Sequence, residues 1–233
     1  YAALTLGIQD YVRKNGFEKV VLGLSGGIDS ALTLALAVDA LGKENVTAIM
    51  LPSRHTSKES VLYARAMIEN VGVTYHELAI DTAYQSFLDE LYSLFATLPA
   101  DVAEQNIQAR CRGVMLMAYA NKFNHLLLTT GNKSELAVGY ATLYGDMAGA
   151  FAPLKDVYKT LVYELSNYCN REREVIPEAI IRRPPTAELA PGQLDQDTLP
   201  AYEELDRILE LFIEQDASPE VIIEQGFARE TVL

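Results

Sequence analysis

Val20-Val21-Leu22-Gly23-Leu24-Ser25-Gly26-Gly27-Ile28-Asp29-Ser30 carries an apolar segment through a turn of serines and glycines into an alanine- and leucine-rich segment. The apolar half reads as a buried strand, and the residues that follow read as a helix. Two glycines let the backbone turn tightly and bring several N–H groups toward one anion. The start of the helix adds its unpaired donors and the positive end of its dipole. Ser25 and Ser30 contribute hydroxyls, and Asp29 offers a carboxylate for a metal riding on the anion. The turn therefore reads as a pyrophosphate cradle built from Gly23, Leu24, Ser25, Gly26, Gly27, Ile28, Asp29 and Ser30. It lacks the lysine of the Gly-x-x-x-x-Gly-Lys-Ser/Thr loop, so it is a different kind of phosphate site. Two glycines alone fit an ordinary strand-to-helix turn equally well, and it is the whole Ser-Gly-Gly-x-Asp-Ser string that favours the cradle.

Outward from this turn, strand signals recur at Lys19–Leu24, Val46–Leu51, Val73–Ala79 and His125–Thr129. Helical patterns separate them. Tyr1 to Asn15 is amphipathic, Ser30–Leu41 follows the cradle, and Thr56-Ser57-Lys58-Glu59 reads as a capping box opening a helix to about Asn70. Alternation of short strands with helices predicts an α/β fold, a doubly wound parallel sheet with helices on both faces. Two helices, about Thr82–Leu98 and Val102–Phe123, lie between the third and fourth strands as an insertion offering a second surface. Further helices are expected at Asp156–Asn170, Leu199–Gln215 and after Ser218-Pro219. The stretch 183–200, with Pro184-Pro185 and Pro191-Gly192, reads equally as a tether or as a mobile flap over a site. The 233 residues read as one domain, residues 1–233, with no internal repeat.

Bulk properties narrow the function classes. The net charge of −13 argues against a general nucleic-acid or membrane-surface binder, although local donors can still bind a small anion. No apolar run approaches a membrane span and no signal peptide is visible. Cys111 and Cys169 have no metal-ligand spacing and read as reduced thiols, which points to the cytoplasm. His55, His76 and His125 stand singly and are read as no ligand. A start at Tyr1 rather than methionine suggests a piece of a longer protein.

A second polar cluster, Thr129-Thr130-Gly131-Asn132-Lys133-Ser134-Glu135, follows the fourth strand. In open α/β sheets ligands sit at the carboxyl ends of the strands where the strand order reverses. If the first and fourth strands are neighbours, their ends lie about 5 Å apart. Asp29 and Glu135 would then share one Mg²⁺, a hard ion satisfied by one or two carboxylates plus phosphate oxygens. Thr130 and Lys133 would face the same anion. A plain helix N-terminus with Glu135 in its first turn is the alternative. On the helix around Ile107, Ile107, Cys111, Val114 and Ala118 trace a core face. Asn106 and Arg110, four apart, share an adjacent face and can address one ligand, with Arg110 suited to phosphate or carboxylate. Lys155 and Lys159 either meet phosphates or solvate a helix. Asp146, in Tyr144-Gly145-Asp146, lies among small residues where a backbone can approach a ligand.

Taken together, these strings resemble a known family. Ser25-Gly26-Gly27-Ile28-Asp29-Ser30 looks like the phosphate loop of the ATP pyrophosphatases (adenine nucleotide alpha-hydrolase-like folds), which split ATP to AMP and pyrophosphate. Glu104–Arg110, Thr129–Glu135, Tyr144-Gly145-Asp146 and Pro185-Thr186-Ala187-Glu188-Leu189 resemble NAD synthetase, in the family's order along nearly the whole chain. Tyr1–Leu24 and Asp197–Tyr202 resemble the synthetase domain of the glutamine-dependent branch. The resemblance implies ATP-dependent amidation of deamido-NAD with ammonia. The nicotinate carboxylate is adenylated, and ammonia then displaces AMP to leave NAD and pyrophosphate. It implies that Gly23–Ser30, Thr130, Lys159 and Thr186 contact ATP and that Asp29 and Glu135 hold Mg²⁺. Asn106, Arg110 and Glu135 would meet deamido-NAD, and Asp146 would receive ammonium and take its proton. It also implies a homodimer, whose interface would use the helices of 82–123.

The match has departures. The ammonia-only branch has a lysine where this chain has Leu143 and an acidic residue where it has Ala150, and both differences fit the glutamine-dependent branch. The basic segment that relatives carry near the C-terminus is not among these residues, nor is a nitrilase-like Glu-Lys-Cys glutamine amidase. Two other readings compete. One is another ATP pyrophosphatase adenylating a different acceptor such as a tRNA base, which the acidic charge opposes. The other is a regulatory module that holds ATP or AMP without turnover, for which Glu135 and Asp146 would be superfluous.

Overall fold

The computed structural model describes residues 1–190 and 192–233; Pro191 of the Pro191-Gly192 pair lies outside the described residues. Helix α1 (Ala2–Lys14) leads into β1 (Val20–Gly23), α2 (Ile28–Leu41), β2 (Val46–Met50), α3 (Lys58–Val71) and β3 (Thr74–Glu77). The helices α4 (Asp81–Phe95) and α5 (Val102–Phe123) precede β4 (Leu126–Leu128) and the short α6 (Lys133–Ala137). Beyond lie α7 (Lys159–Cys169), α8 (Glu178–Arg182), α9 (Tyr202–Leu209), a π-helical turn at Glu210–Glu214, α10 (Pro219–Glu224) and α11 (Arg229–Val232). No helix among the described residues is long and apolar enough to cross a membrane.

The four strands are parallel and run in the order β3-β2-β1-β4. The chain walks outward from β1 to β3, then jumps back to place β4 on the other side of β1. The switch point therefore falls between β1 and β4, which are paired from Val20↔Leu126 to Leu22↔Leu128. A single parallel bridge from Leu128 to Phe151 extends that edge. Alternation along each strand sends Val20, Leu22, Ala48, Met50, Leu126 and Leu128 to one face, where α1, α2, α3, α7 and α8 cover them. Val21, Ile49, Leu51 and Leu127 point to the other face, under α4 and α5. Both faces are buried, which is why these strands read as continuous apolar runs. The two helices between β3 and β4 thus double as the second layer of the sheet. Their outward side keeps Phe87, Tyr92, Leu94, Val102 and Val114 exposed, as is Leu98 in the link between them. Val114 and Ala118 therefore do not share the core face expected with Ile107 and Cys111.

Element ends differ from expectation where local chemistry is ambiguous. Helix α2 begins two residues early, at Ile28, so Asp29 and Ser30 lie in its first turn. The cap of α3 is Ser57, whose hydroxyl accepts from the Ser60 N–H, rather than Thr56. Thr56 instead accepts from the Ser53 N–H. Helix α5 matches its expected span and is opened by a capping box between Asp101 and Glu104.

Candidate active site

The carboxyl ends of β1 and β4 open into a cavity of about 830 Å³. That volume suits a nucleotide-sized ligand. Gly23, Leu24, Ser25, Gly27, Ile28, Asp29 and Ser30 form one wall. Gly26 lies behind them, buried, with φ +86°, and a Cβ there would collide with the backbone of Ser60. Ser30 closes the turn on itself: its Oγ accepts from the Ser25 N–H at 3.2 Å and donates to the Gly27 carbonyl at 2.9 Å. The loop is thereby fixed before any anion arrives.

Across the β1–β4 seam, α6 presents Glu135 in its first turn, as its capping box with Asn132 requires. Asn132 is fully buried and ties the two strings together. Its side-chain amide donates to Asp29 Oδ1 at 2.9 Å, and its Oδ1 accepts from the Glu135 N–H at 3.0 Å. Lys159, at the start of α7 and 2 % exposed, sends Nζ to Asp29 Oδ2 at 2.5 Å and to Glu135 Oε1 at 3.2 Å. Burial pushes the Glu135 carboxyl up to about 7, helped by the charge of Asp29 and opposed by Lys159. Burial acts to lower the Lys159 ammonium, but the two carboxylates outweigh it and hold the group above the ordinary lysine value.

Two hard carboxylates around one cation leave a surplus negative charge in a desolvated seam. Among the described residues no cluster of three or more His, Cys, Asp or Glu side chains stands ready as a metal cage. The two carboxylates are the kind of donor that a hard divalent cation takes together with phosphate oxygens and water.

The other sequence-predicted residues are placed unequally. Thr130, Lys155 and Asp146 line the same cavity. Asp146 accepts from the Thr142 N–H at 2.8 Å, and burial raises its carboxyl while backbone N–H groups pull it back. Gly145 lets this loop lie against α5, since a Cβ would stand 2.8 Å from that of Ala109. Thr186 also lines the cavity, with its hydroxyl donating to the Gln193 carbonyl. Asn106 and Arg110 do not reach the lining. They meet the back of the 142–146 loop, where Asn106 accepts from the Thr142 hydroxyl at 2.7 Å and Arg110 donates to the Leu143 carbonyl at 3.2 Å. Lys133 turns away from the expected anion. As the first residue of α6 it points outward to Asp156 and Glu214 and over the Tyr158 ring.

The stretch after α8 completes the enclosure, and in it Arg183 and Asp195 were not singled out in the sequence. The stretch from Arg183 to Leu189 lines the cavity opposite the loop. Arg183 donates to Glu188 at 2.7 Å, and both engage Ser57 and Ser60 at the start of α3. Glu188 adopts a left-handed φ of +49° to do so. The far end of the stretch is held by buried Asp195, which accepts from Tyr202 at 2.8 Å and Tyr140 at 3.3 Å. The described part of 183–200 is therefore a strap across the cavity, anchored at both ends, rather than a bare tether. Its prolines and the string Pro185–Leu189 signalled it, but the contacts that anchor it did not show in the sequence.

The NAD synthase family model matches residues 1–233. The chain is 55% identical over 232 residues to the glutamine-dependent NAD(+) synthetase of Aquifex aeolicus, covering all of this chain and 41% of that protein. Its structure resembles the ADP complex of the glutamine-dependent NAD+ synthetase from Acinetobacter baumannii, with TM-score 0.76 and 51% identity over 98% of this chain and 41% of that one. It also resembles the NMN synthetase of Francisella tularensis, with TM-score 0.82 and 32% identity over 96% of this chain and 88% of that one. The chain thus spans about two-fifths of the length of the glutamine-dependent relatives it matches. A match along the whole sequence, on a sheet whose switch point carries the phosphate-loop turn and the paired carboxylates, means that the chain belongs to the NAD synthase family.

Proposed function

We propose that this chain performs the synthetase half-reactions of its family: ATP-dependent amidation of deamido-NAD with ammonia, giving NAD, AMP and pyrophosphate. The observation that carries the reading is the seam itself, where Asp29, Glu135 and Lys159 converge beside a self-closed anion loop. Carboxylate and ammonia do not condense in water near neutral pH, so the carboxylate needs a leaving group. The loop Gly23–Ser30, with Thr130, Lys159 and Thr186, binds and orients ATP so that the nicotinate oxygen meets the α-phosphorus in line. Asp29 and Glu135 would hold Mg²⁺, which when bound would supply charge neutralisation to the phosphates. Glu135 faces deamido-NAD from the cavity wall, while Asn106 and Arg110, held against the 142–146 loop, would position it through that loop. The Asp146 carboxylate, at the cavity wall, receives ammonium and accepts its proton as nitrogen attacks the adenylate.

The exposed apolar side of α4 and α5 supports a homodimer through that face. Residues 1–233 form the synthetase domain, and a glutamine amidase domain in the same protein would supply ammonia. Two free thiols fit the cytoplasm.

The likeness to NMN synthetase favours a second reading, in which the product is NMN. The higher identity to the NAD(+) synthetases argues for the dinucleotide. The test is pyrophosphate release from Mg-ATP and ammonium with deamido-NAD or its mononucleotide counterpart, reading NAD and NMN separately. Release matched by NAD supports the proposal. Release matched by NMN alone replaces it, and release with no acceptor consumed removes both.

A further inference from the structure

Four cationic side chains line the cavity: Arg112, Lys155, Lys159 and Arg183. Lys159 is paired with Asp29 and Glu135, and Arg183 with Glu188. Lys155 is exposed to solvent. Arg112 is different. It is partly buried, and among the described residues no carboxylate forms an ion pair with it. Among the described residues its one side-chain hydrogen bond runs from Nε to the Leu51 carbonyl at 2.9 Å, just past the end of β2. Desolvation pulls its guanidinium below the ordinary arginine value, against the more distant charge of Glu188. An unpaired cation in a desolvated wall is costly unless something meets it. With Nε fixed to a strand end, the two Nη groups form a fork of the kind that suits a phosphoryl oxyanion.

Geometry separates Arg112 from its neighbour Arg110. A step of two residues turns a helical side chain by about 200°. Arg110 accordingly contacts the back of the 142–146 loop, whereas Arg112 stands between cavity-lining Ala109 and Leu116, on the side of α5 that faces the phosphate loop. Resting on the reading that this cavity takes an adenine nucleotide, we infer that Arg112 is a binding residue whose Nη pair donates to phosphate oxygens of that nucleotide. The sheet supplies its position, and the nucleotide supplies the missing counter-charge.

The test is calorimetric titration of the parent protein, Arg112→Met and Arg112→Lys with Mg-ADP, with adenosine as the uncharged control and with deamido-NAD. Arg112→Met weakens Mg-ADP by about ten- to a hundredfold, the range for losing charge-assisted hydrogen bonds. Adenosine binding is unchanged, and the melting temperature without nucleotide does not fall. Arg112→Lys keeps the charge without the fork and loses less. If Arg112→Met does not fold, the ratio of ADP to adenosine affinity in Arg112→Lys decides the matter by itself. Equal losses for ADP and adenosine would overturn the phosphate assignment, as would loss confined to deamido-NAD or unchanged affinity for all three. A parent protein that binds neither ADP nor adenosine would overturn the nucleotide reading itself, an outcome distinct from a failed variant.

Discussion

The β1–β4 seam and the strap over 183–200 bound the same cavity but are held by different means. At the seam, every polar group sits one or two residues beyond a strand end or inside the first turn of a helix. The register of the sheet sets their spacing, and Asn132 and Lys159 lock them from below. Among its described residues the strap has no ladder of backbone bonds. It hangs on Arg183 and Glu188 against the start of α3 at one end, and on Asp195 against two tyrosine hydroxyls at the other. A seam of this kind is preorganised by the fold, whereas a few exchangeable polar contacts leave a strap free to respond to what fills the cavity.

The comparison breaks most sharply at Lys159. Replacing it by methionine leaves two carboxylates facing each other in a desolvated seam, at a cost of about 3–5 kcal/mol. Urea unfolding of Lys159→Met should report that loss, and Asp29→Asn added to it should return part of the stability. A single variant as stable as the parent would show that the seam is not held by this ion triplet. Asp29→Ala alone removes a carboxylate rather than the cation, so it should fold but release no pyrophosphate. Undiminished release would take Asp29 out of the metal site.

At the strap a smaller effect is expected. Arg183→Ala leaves the Glu188 carboxylate with only the Ser60 hydroxyl and the Ser57 backbone N–H, costing about 1–2 kcal/mol locally rather than globally. Limited proteolysis should then cut within 183–200 well before the rest of the chain, and the KM for ATP should rise severalfold with kcat less affected. Uniform cleavage along the chain would mean that the latch is part of the global fold, and the contrast with the seam would disappear.

How much of this was legible in the sequence follows the same divide. The strands and their parallel burial follow from short apolar runs, each ending in a polar string, whereas the meeting of Asp29 and Glu135 hung on β1 lying beside β4, which the sheet order supplies. The runs are local signals. Asn106 and Arg110 were legible as one helix face, but their partner, the 142–146 loop, depends on close approach at Ala109 and Gly113, which spacing alone does not show. Lys133 misled because a neighbour of Thr130 in sequence becomes the outward first residue of a helix. Thr56 and Ser57 are both good caps, and only the Ser60 N–H chooses between them. Arg112 and the Arg183–Glu188 latch were silent, since their meaning lies in contacts made far along the chain.

The smallest expected effect sharpens the seam's outer rim at Asp146. Its carboxyl is raised above 3.8, chiefly by burial, so the folded protein keeps a proton that the unfolded chain has already lost. Stability from this group is therefore greatest below about pH 4 and declines as pH climbs through the raised folded value. Asp146 is still substantially exposed, and solvent screening keeps the effect to a fraction of a kcal/mol. Asp146→Asn should flatten that slope in urea midpoints taken from about pH 4 to about pH 7. The same variant should raise the KM for ammonium more than tenfold while leaving the KM for ATP unchanged. Equal rises in both constants would make Asp146 a support for the 142–146 loop, and the proton would then need another acceptor at the cavity wall.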